Sequence, residues 1–503
     1  MTPRKVFLFG LCVIAIILAI SAVFPDGWTT ERFTIRIPDY RTWFQEDTIK
    51  YKDIRPIIAS VDTTGYKTES WLLSENDSIP EIDNQADVAT DSLQRIENQS
   101  PDLTPELSEN RGETFNKDKF EIPFEFPDGQ DTMLFPLFRT IGKINRQNRL
   151  VRILHYGDSQ IEGDRITSTI RNFMQKNYGG QGIGFIPIVP ANDYAVTFQQ
   201  DVSPHWKRIS ALGKNDDISG NRFGIAGSLA RYSPPDQGDS VAHVGLRPYY
   251  IGYRNVHTFS RARLFYGPSE KPFTIVINQA DTQRMSVRDA VSSAWWRFET
   301  PQNSLDLSLT SSALPDLYGI TLDGAQGVAV DNLPLRGSSG LDFSRMDTAQ
   351  MGQMFRMMDV QMVILQFGAN IVPHIVDSYD YYARRLAQEL RMFRALKPEL
   401  AIVVISVNDM SQNTPKGYQS YPNIAKIRDA QKKAAFEAGC AFWDLFEAMG
   451  GENSMPSWVF AQPPLAQKDF THFTIGGAKI VAELFCKAWT KEYQKFKVNI
   501  FPR

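Results

Sequence analysis

The sequence predicts an α/β fold: a three-layer α/β/α sandwich around a parallel five-stranded sheet of flavodoxin-like type, interrupted by an inserted all-β sandwich domain. From about residue 130 onward, near-continuous apolar runs alternate with amphipathic helical patterns, which is typical of a parallel sheet covered on both faces. Residues 190–318 instead carry short strand-like runs separated by turn residues, without a convincing long helix. The 503 residues, 42% of them hydrophobic, suit more than one domain.

The N-terminal segment, residues 1–25, is predicted to anchor the protein in a membrane. Arg4 and Lys5 precede an apolar run from Val6 to Phe24, which is long enough to nearly cross a hydrocarbon core of about 30 Å. Basic residues before the run and acidic, aromatic residues after it predict that the rest of the chain lies outside the cytoplasm. A cleaved signal peptide is the alternative, and it also sends the body of the protein across the membrane.

Residues 26–120 are predicted to form an extracytoplasmic linker that is largely disordered. Residues 66–118 are acidic, polar and almost free of aromatic side chains, so they cannot bury enough surface to fold. Residues 26–60 contain aromatic residues and some alternation, which suggests a small pair of strands.

The α/β core is predicted to comprise residues 121–189 and 319–503, on either side of the inserted domain at 190–318. Apolar runs predict buried strands at 150–157, 327–333, 361–368, 400–407 and 440–446. Amphipathic periodicity predicts helices at 161–176, 343–358, 378–396, 424–438 and 475–490. A helix between successive strands is the usual connection in a parallel sheet.

The composition argues against several classes of function. A formal net charge of -3 provides no basic excess, so no nucleic-acid partner is expected. The three cysteines form no CxxC motif or Cys/His cluster, so no metal site is expected. No Walker-type or GxGxxG loop occurs, and no cofactor is expected.

The first predicted strand of the core ends on Gly157-Asp158-Ser159, where helical periodicity begins. A serine at this point lies at the carboxyl edge of the sheet, where open α/β sheets bind ligands. An Asp or Ser helix cap is the alternative interpretation. A nucleophilic serine also needs a general base, an acid that orients the base, and donors for the oxyanion.

A base and an acid occur together near the C-terminus, in "KDFTHFTIGG". Asp469 precedes His472 by three residues on one predicted loop, so its carboxylate can reach imidazole Nδ1 and leave Nε2 for Ser159. A helix-capping aspartate beside an incidental histidine is the alternative. Two other histidines precede an acid by three residues: His155 with Asp158, and His374 with Asp377. The alternation of the strand points His155 away from Ser159, which favours a packing role, whereas His374 could border the site.

Candidate oxyanion donors follow two other predicted strands. Gly340, in "LPLRGSSGLDF", lies where a helix is predicted to begin, and Asn370, in "LQFGANIV", ends the next strand at the same sheet edge. Either residue alone is more typical of a turn. Residues that merely form turns would not be expected to place polar groups at the ends of successive strands in this order. The set as a whole therefore favours a functional site.

These blocks, "GDSQ", "GSSG", "GAN" and "DFTH", resemble the four blocks of SGNH hydrolases, the GDSL esterase superfamily. The resemblance implies that Ser159 is the nucleophile and donates its N–H to the oxyanion, that Gly340 and Asn370 complete the oxyanion hole, and that Asp469 and His472 complete the triad. The sequence departs from the pattern at Gln160, where leucine is usual, and at Ile371, where many members have aspartate.

The stretch "GDSQIEGDRITSTIRNFMQKNYGGQGIGFIPI" is similar to the opening of periplasmic peptidoglycan O-acetylesterases, which carry a carbohydrate-binding-type β-sandwich between the serine and glycine blocks. This likeness implies a serine esterase that removes O-acetyl groups from a cell-envelope or extracellular glycan, with peptidoglycan as the first candidate. It also implies a location on the periplasmic side of the inner membrane. The alternatives are a glycan O-acetyltransferase with the same triad and a non-catalytic glycan-binding protein. Three tryptophans of the inserted domain are candidates for stacking on sugar rings or for its core: Trp206, Trp295 and Trp296.

Overall fold

The computed structural model describes residues 49–61, 121–191, 194–212, 218–233, 241–249 and 253–500, together with Phe9, Val13 and two short strands near the N-terminus. The predicted membrane segment therefore lies, apart from two positions, outside the described residues, as does most of the predicted linker. Among the described residues, none of the helices has the length and apolar character needed to span a bilayer.

Twenty strands occur in the described part of the chain. They are β1 (Trp28–Thr29), β2 (Thr34–Ile35), β3 (Leu150–Gly157), β4 (Gly184–Ile186), β5 (Phe198–Val202), β6 (Trp206–Ser210), β7 (Ser228–Tyr232), β8 (Ala242–Pro248), β9 (Phe259–Tyr266), β10 (Phe273–Ile277), β11 (Asp281–Met285), β12 (Ser292–Gln302), β13 (Leu305–Thr310), β14 (Leu317–Asp323), β15 (Gly327–Pro334), β16 (Val360–Gln366), β17 (Ala401–Ile405), β18 (Ser411–Thr414), β19 (Gly417–Ser420) and β20 (Ala441–Trp443).

The α-helices of the same residues are α1 (Arg55–Ser60), α2 (Phe135–Ile141), α3 (Ile144–Gln147), α4 (Thr167–Tyr178), α5 (Thr348–Met358), α6 (Asp380–Leu396), α7 (Ile424–Glu437), α8 (Leu445–Ala448), α9 (Met455–Phe460) and α10 (Ile475–Ile500). Short 3₁₀ helices lie at Ser159–Asp164, Ser219–Asn221, Arg254–Val256, Phe343–Arg345 and Ala369–Ile371.

The chain divides into two compact units, Met1–Lys50 with Asn413–Tyr418, and Tyr51–Gln412 with Gln419–Arg503. In the first unit, β1 pairs with β2 in an antiparallel arrangement. The second unit contains the two large folded regions described next and the candidate site.

The central sheet of the second unit has the strand order β15-β3-β16-β17-β20, and every neighbouring pair is parallel. Every residue of β16 and β17 is buried, because helices cover both faces of the sheet and leave no polar face to solvent. The predicted three-layer α/β fold with a five-stranded parallel sheet is confirmed.

The inserted region folds as two antiparallel sheets, with the orders β11-β10-β13-β8-β5 and β12-β9-β14-β7-β6. β4 pairs with β14, so strands on both sides of the predicted 190–318 segment take part in the second sheet. The interior between the sheets is apolar and includes Leu264, Ile275 and Leu307. The predicted all-β insertion is therefore present, and its sheet extends beyond the predicted limits at both ends.

A buried ion cluster links the inserted sheet to the central sheet. Arg152 on β3 donates to Asp331 on β15 at 2.6 Å and to Asp323 on β14 at 2.5 Å. Asp331 also accepts a hydrogen bond from the backbone N–H of Phe185 on β4 at 2.9 Å. Removing one partner of a buried pair leaves an uncompensated charge, so this cluster ties the two regions together.

The segment 51–61 differs from the disordered linker predicted for residues 26–120. Its helix α1 buries Ile57 almost completely, at 1% exposure. The hydroxyl of Ser457 donates to the carbonyl of Lys52 at 2.6 Å, which fixes the segment against α9. An isoleucine-rich stretch with a proline at the start of its helix is ordered here because it has an apolar surface to cover.

Candidate active site

The turn that follows β3 places Ser159 at the carboxyl edge of the central sheet. A Cβ on Gly157 would lie 2.8 Å from the carbonyl oxygen of Gln366 on β16, so the close approach of the two strands requires glycine. The side chain of Asp158 then accepts a hydrogen bond from the N–H of Gln160 at 3.0 Å and starts the 3₁₀ helix Ser159–Asp164. The sharp turn leaves the Ser159 hydroxyl accessible beside the edge of the sheet.

The structure brings the three predicted triad residues together. Ser159 Oγ lies 2.7 Å from His472 Nε2, and His472 Nδ1 lies 2.6 Å from Asp469 Oδ2. The arrangement is consistent with a Nδ1–H that donates to the carboxylate and a Nε2 lone pair that accepts the serine proton. It matches the nucleophile, base and orienting acid of serine hydrolases.

The loop that carries His472 is organised around the Asp469 carboxylate. Its Oδ1 accepts hydrogen bonds from the backbone N–H groups of Thr471 at 2.9 Å and His472 at 3.0 Å. Burial opposes ionisation of Asp469, but the hydrogen bonds from His472 and from these backbone groups outweigh burial, and the pKa of Asp469 lies below its usual value. The carboxylate is therefore charged at neutral pH and can stabilise an imidazolium.

The two other predicted oxyanion residues meet at Ser338. Gly340 has a positive φ of 82°, and its N–H donates to Ser338 Oγ at 2.9 Å. Asn370 Nδ2 donates to the Ser338 carbonyl at 2.9 Å, which uses one of its two hydrogens. The N–H of Asp158, beside the nucleophile, donates to the carbonyl of Gln366 at 3.2 Å, so the serine turn is linked to the end of the strand that precedes Asn370.

Gln160, noted in the sequence only as a departure from the usual leucine, joins the serine turn to the histidine loop. Its Nε2 donates to the Thr471 carbonyl at 2.7 Å and to Asn408 Oδ1 at 3.1 Å, and its Oε1 accepts from the Phe473 N–H at 3.4 Å. Thr471 and Phe473 flank His472 on both sides. Sequence reasoning missed this role, and the unusual residue at the position was the only signal.

Arg165 makes a second link between the same two segments. Its guanidinium donates to the carbonyls of Ser159 and Glu162 on one side and of Phe473, at 3.0 Å, on the other. Burial lowers the pKa of Arg165, while the nearby carboxylates of Glu162 and Asp469 raise it. Nothing in the local sequence indicated this arginine.

The rival histidines lie in other environments. His155 is fully buried, with Nε2 3.2 Å from Gln366 Oε1 and Nδ1 2.9 Å from Thr167 Oγ1. Burial lowers the pKa of His155 to about 3, so this histidine is neutral, as its predicted packing role requires. His374 lies on an exposed segment, and Ser159 pairs with His472 instead.

The three tryptophans of the inserted domain divide between core and surface. Trp296 is buried, whereas Trp295, the preceding residue on the same strand, is 44% exposed. The guanidinium carbon of Arg263 lies 4.1 Å from the centroid of the Trp295 ring. Trp206 is partly buried against Tyr232, with ring centroids 5.1 Å apart. Of the three, Trp295 therefore has the more open ring. No group of three or more potential metal ligands occurs among the described residues.

Comparison with known proteins supports the fold. No protein-family model matches the sequence, and no curated protein matches it. A solved structure of a peptidoglycan O-acetylesterase superposes with a TM-score of 0.60, covering 74% of this chain and 99% of that chain at 18% identity. The two chains share one fold. This shared fold agrees with the predicted α/β core and its inserted sheets.

Carbohydrate esterases also appear among the more distant structures. A family two carbohydrate esterase from Cellvibrio japonicus is 9% identical, covering 59% of this chain and 98% of that chain with a TM-score of 0.23. A family two carbohydrate esterase from Clostridium thermocellum, in complex with cellohexaose, is 10% identical, covering 51% and 93% with a TM-score of 0.24. At these TM-scores the superpositions say nothing about a shared mechanism.

Proposed function

We propose that this protein is a serine esterase that removes O-acetyl groups from a cell-envelope or extracellular glycan. The observation that carries the proposal is the continuous hydrogen-bonded chain Ser159–His472–Asp469 at the carboxyl edge of a parallel sheet. The fold shared with a peptidoglycan O-acetylesterase supports the proposal and makes peptidoglycan the first glycan to test. The N-terminal apolar run, preceded by Arg4 and Lys5, supports anchoring on the periplasmic side of the inner membrane.

In the first half of the reaction, Ser159 Oγ attacks the acetyl carbonyl while His472 Nε2 accepts the hydroxyl proton. The resulting oxyanion receives hydrogen bonds from the N–H of Ser159, the N–H of Gly340 and the second hydrogen of the Asn370 amide. Gly340 must share or exchange its bond to Ser338 Oγ for this purpose. His472 then gives its proton to the sugar oxygen as the C–O bond breaks, which leaves an acetyl-serine.

In the second half, water replaces the sugar. His472 accepts a proton from water as the water oxygen attacks the acetyl carbonyl, and the same donors stabilise the second oxyanion. When the second tetrahedral intermediate collapses, the bond between the acetyl carbon and Ser159 Oγ breaks. Ser159 Oγ then recovers the proton from His472, and acetate leaves. A sugar hydroxyl in the place of water would give transfer, so the acceptor alone separates the esterase from the O-acetyltransferase.

The test uses the full chain with p-nitrophenyl acetate and with purified O-acetylated peptidoglycan. Ser159→Ala should lower acetate release to about a thousandth or less on both substrates. Asp469→Asn should lower kcat by a comparably large factor, because the imidazole loses its orientation. Ser378→Ala changes an exposed serine outside the triad and should behave as wild type.

The outcomes separate the competing functions. If Ser159→Ala keeps near-wild-type activity, Ser159 is not the nucleophile. Hydrolysis of p-nitrophenyl acetate without acetate release from peptidoglycan would point to another acetylated glycan. Acetyl transfer to an added oligosaccharide in excess of acetate release would identify a transferase. Failure of wild type to react with a serine-directed phosphonate would favour a non-catalytic glycan-binding protein.

A further inference from the structure

The histidine loop, residues 465–474, is attached to the short helix α9 by backbone hydrogen bonds. The carbonyl of Trp458 on α9 accepts from the N–H of Leu465 at 2.8 Å and from the N–H of Ala466 at 3.1 Å. The N–H of Thr474, at the other end of the loop, donates to the Leu465 carbonyl at 3.0 Å. Both ends of the loop are therefore fixed to α9, directly or through Leu465.

Two aromatic contacts between α9 and the loop lie on either side of His472 in the sequence. The ring of Trp458 packs against Phe473, with centroids 5.3 Å apart, and both side chains are fully buried. The ring of Phe460, the last residue of α9, packs edge to face against Phe470 at 5.7 Å. Phe473 directly follows His472 and Phe470 precedes it by two positions, so a displacement of α9 would also displace the backbone of His472.

Phe470 has a backbone conformation that needs support from its surroundings. Its φ is 53°, in the left-handed region that residues with a side chain rarely adopt. Its carbonyl accepts from the N–H of Ser411 at 3.1 Å, and the residue is buried beside Phe460. The turn from Asp469 to His472 passes through Phe470, so its packing against α9 helps to hold the acid and the base at hydrogen-bonding distance.

Helix α9 is in turn held by the chain that leads into helix α1. The N–H of Lys52 donates to the carbonyl of Asn453, just before α9, at 3.2 Å. The carbonyl of Lys52 accepts from the hydroxyl of Ser457, within α9, at 2.6 Å. The ring centroid of Tyr51 lies 6.2 Å from that of Phe460, which itself contacts the histidine loop. Two adjacent residues thus contact the start, the middle and the end of α9.

The far end of the segment 51–61 is fixed as well. The carbonyl of Ser60 accepts a hydrogen bond from Lys487 Nζ on α10 at 2.7 Å. Ile57 is buried, and a Cβ added to Gly450 would lie 3.5 Å from its side chain, so α1 packs closely on the turn that precedes α9. The segment is therefore a brace that is attached to two helices, α9 and α10.

We propose that the segment 51–61 positions the catalytic acid and base. It braces α9, and α9 fixes the loop from which Asp469 and His472 reach Ser159. The inference rests on the proposed catalytic role of these three residues, and it adds a part of the chain that the sequence assigned to a disordered linker. The residues of the segment act through α9 and are positioning residues, so their loss should lower kcat and change KM little.

The test loosens the brace at α9 in the full chain. The double variant Tyr51→Ala/Ser457→Ala removes the ring contact with Phe460 and the hydrogen bond to the Lys52 carbonyl. A partial displacement of the imidazole should lower kcat on p-nitrophenyl acetate by about three- to tenfold, because a shift of about 1 Å costs about a hundredfold. The rate of Ser159 modification by a phosphonate should fall by the same factor.

Two matched variants separate positioning from stability. Tyr51→Phe/Ser457→Thr keeps a ring and a hydroxyl at the same positions and should retain the wild-type kcat. Tyr493→Ala removes a partly buried ring near the far end of α10, which contacts Phe138 at 5.2 Å and Tyr178 at 5.3 Å. This variant should lower the melting temperature and keep kcat.

Hydrogen exchange reports on the loop without any substrate. The N–H groups of Gln467 and Thr474 are both hydrogen-bonded within the loop. Under conditions in which exchange proceeds by local opening, exchange at these two amides should be about tenfold faster in the double alanine variant. It should be unchanged in Tyr493→Ala.

The outcomes distinguish the brace from a general contribution to stability. If the wild type is active and the double alanine variant has a lower melting temperature but unchanged kcat and phosphonate rate, the segment only stabilises the fold and the proposal is wrong. An equal loss of kcat in Tyr493→Ala would also overturn it, since the effect would then follow stability. A wild type that neither hydrolyses p-nitrophenyl acetate nor reacts with the phosphonate would instead overturn the esterase function, and the exchange rates would still show whether the segment holds the loop.

Discussion

Replacing Gln160 by leucine should reduce catalysis more than it reduces stability. Gln160 is 2% exposed, and its amide makes three hydrogen bonds to the histidine loop and to Asn408. Leucine has a similar volume but leaves Asn408 Oδ1 and the Phe473 N–H without this partner, at about 1–3 kcal/mol for each buried group. The Thr471 carbonyl keeps one bond, from Asn408 Nδ2 at 3.0 Å, so the loop should stay folded but less well positioned.

The expected effect on chemistry follows from the position of the imidazole. A displacement of about 1 Å in a reacting group can cost about a hundredfold in rate, so Gln160→Leu should lower kcat on p-nitrophenyl acetate by about ten- to a hundredfold while KM changes little. The rate of Ser159 modification by a phosphonate should fall in parallel, because both reactions need the activated serine.

A matched variant separates positioning from stability. Gln175 is also 2% exposed and its Nε2 donates to the Gly182 carbonyl at 2.9 Å, but it lies on α4 rather than in the serine turn. Gln175→Leu should lower the melting temperature and keep kcat. If Gln160→Leu lowers the melting temperature while kcat and the phosphonate rate stay at wild-type values, Gln160 is only a packing residue and the reasoning is wrong.

Asn370→Ala should lower kcat by about a hundred- to a thousandfold through loss of one oxyanion donor, and an unchanged kcat would exclude that role. Asp158→Asn should flatten the pH dependence of urea unfolding between about pH 4 and pH 6. Burial raises the pKa of Asp158 to about 6, so this carboxyl favours folding below its unfolded pKa of about 3.9 and loses that contribution as the pH rises through 6; a wild-type slope would contradict this. Ile57→Ala should cost about 2–5 kcal/mol of unfolding free energy. A chain beginning at residue 121 should likewise be less stable than one beginning at residue 49, and equal stability of the two would show that α1 contributes nothing.

The strands and the meeting of Ser159 with His472 were predictable because one physical rule covers them. A strand that is buried on both faces is apolar along its whole length, and residues 361–368 and 400–407 have this pattern. Helical periodicity between two such strands predicts that they are parallel neighbours in one sheet. The carboxyl ends of parallel strands share one edge, so the polar residues that follow them meet there. Ser159 and His472 were therefore predictable as partners although 313 positions separate them.

No comparable rule predicts a contact that a single side chain makes with a residue far away in the sequence. Gln160 reaches the Thr471 carbonyl over 311 positions, and neither residue belongs to a periodic pattern. The order of 51–61 was missed for a related reason: a short apolar stretch indicates burial only when the surface that it covers is known.

The inserted sheets cannot be treated as a detachable glycan-binding module. Tyr156 and Leu333, on the central sheet, belong to one buried cluster with Phe185, Leu229 and Phe265 of the inserted sheets. The Tyr156 hydroxyl also donates to a carbonyl of the inserted region at 2.7 Å. Excision of the inserted sheets would expose this shared core and would leave Arg152 without the carboxylate of Asp323. We therefore expect a protein without these sheets to lose activity on every ester, whatever the role of the insertion. The stacking of sugar rings on tryptophans of these sheets stays a prediction, and substitutions at the surface of the sheets can test it, because those leave the shared core in place.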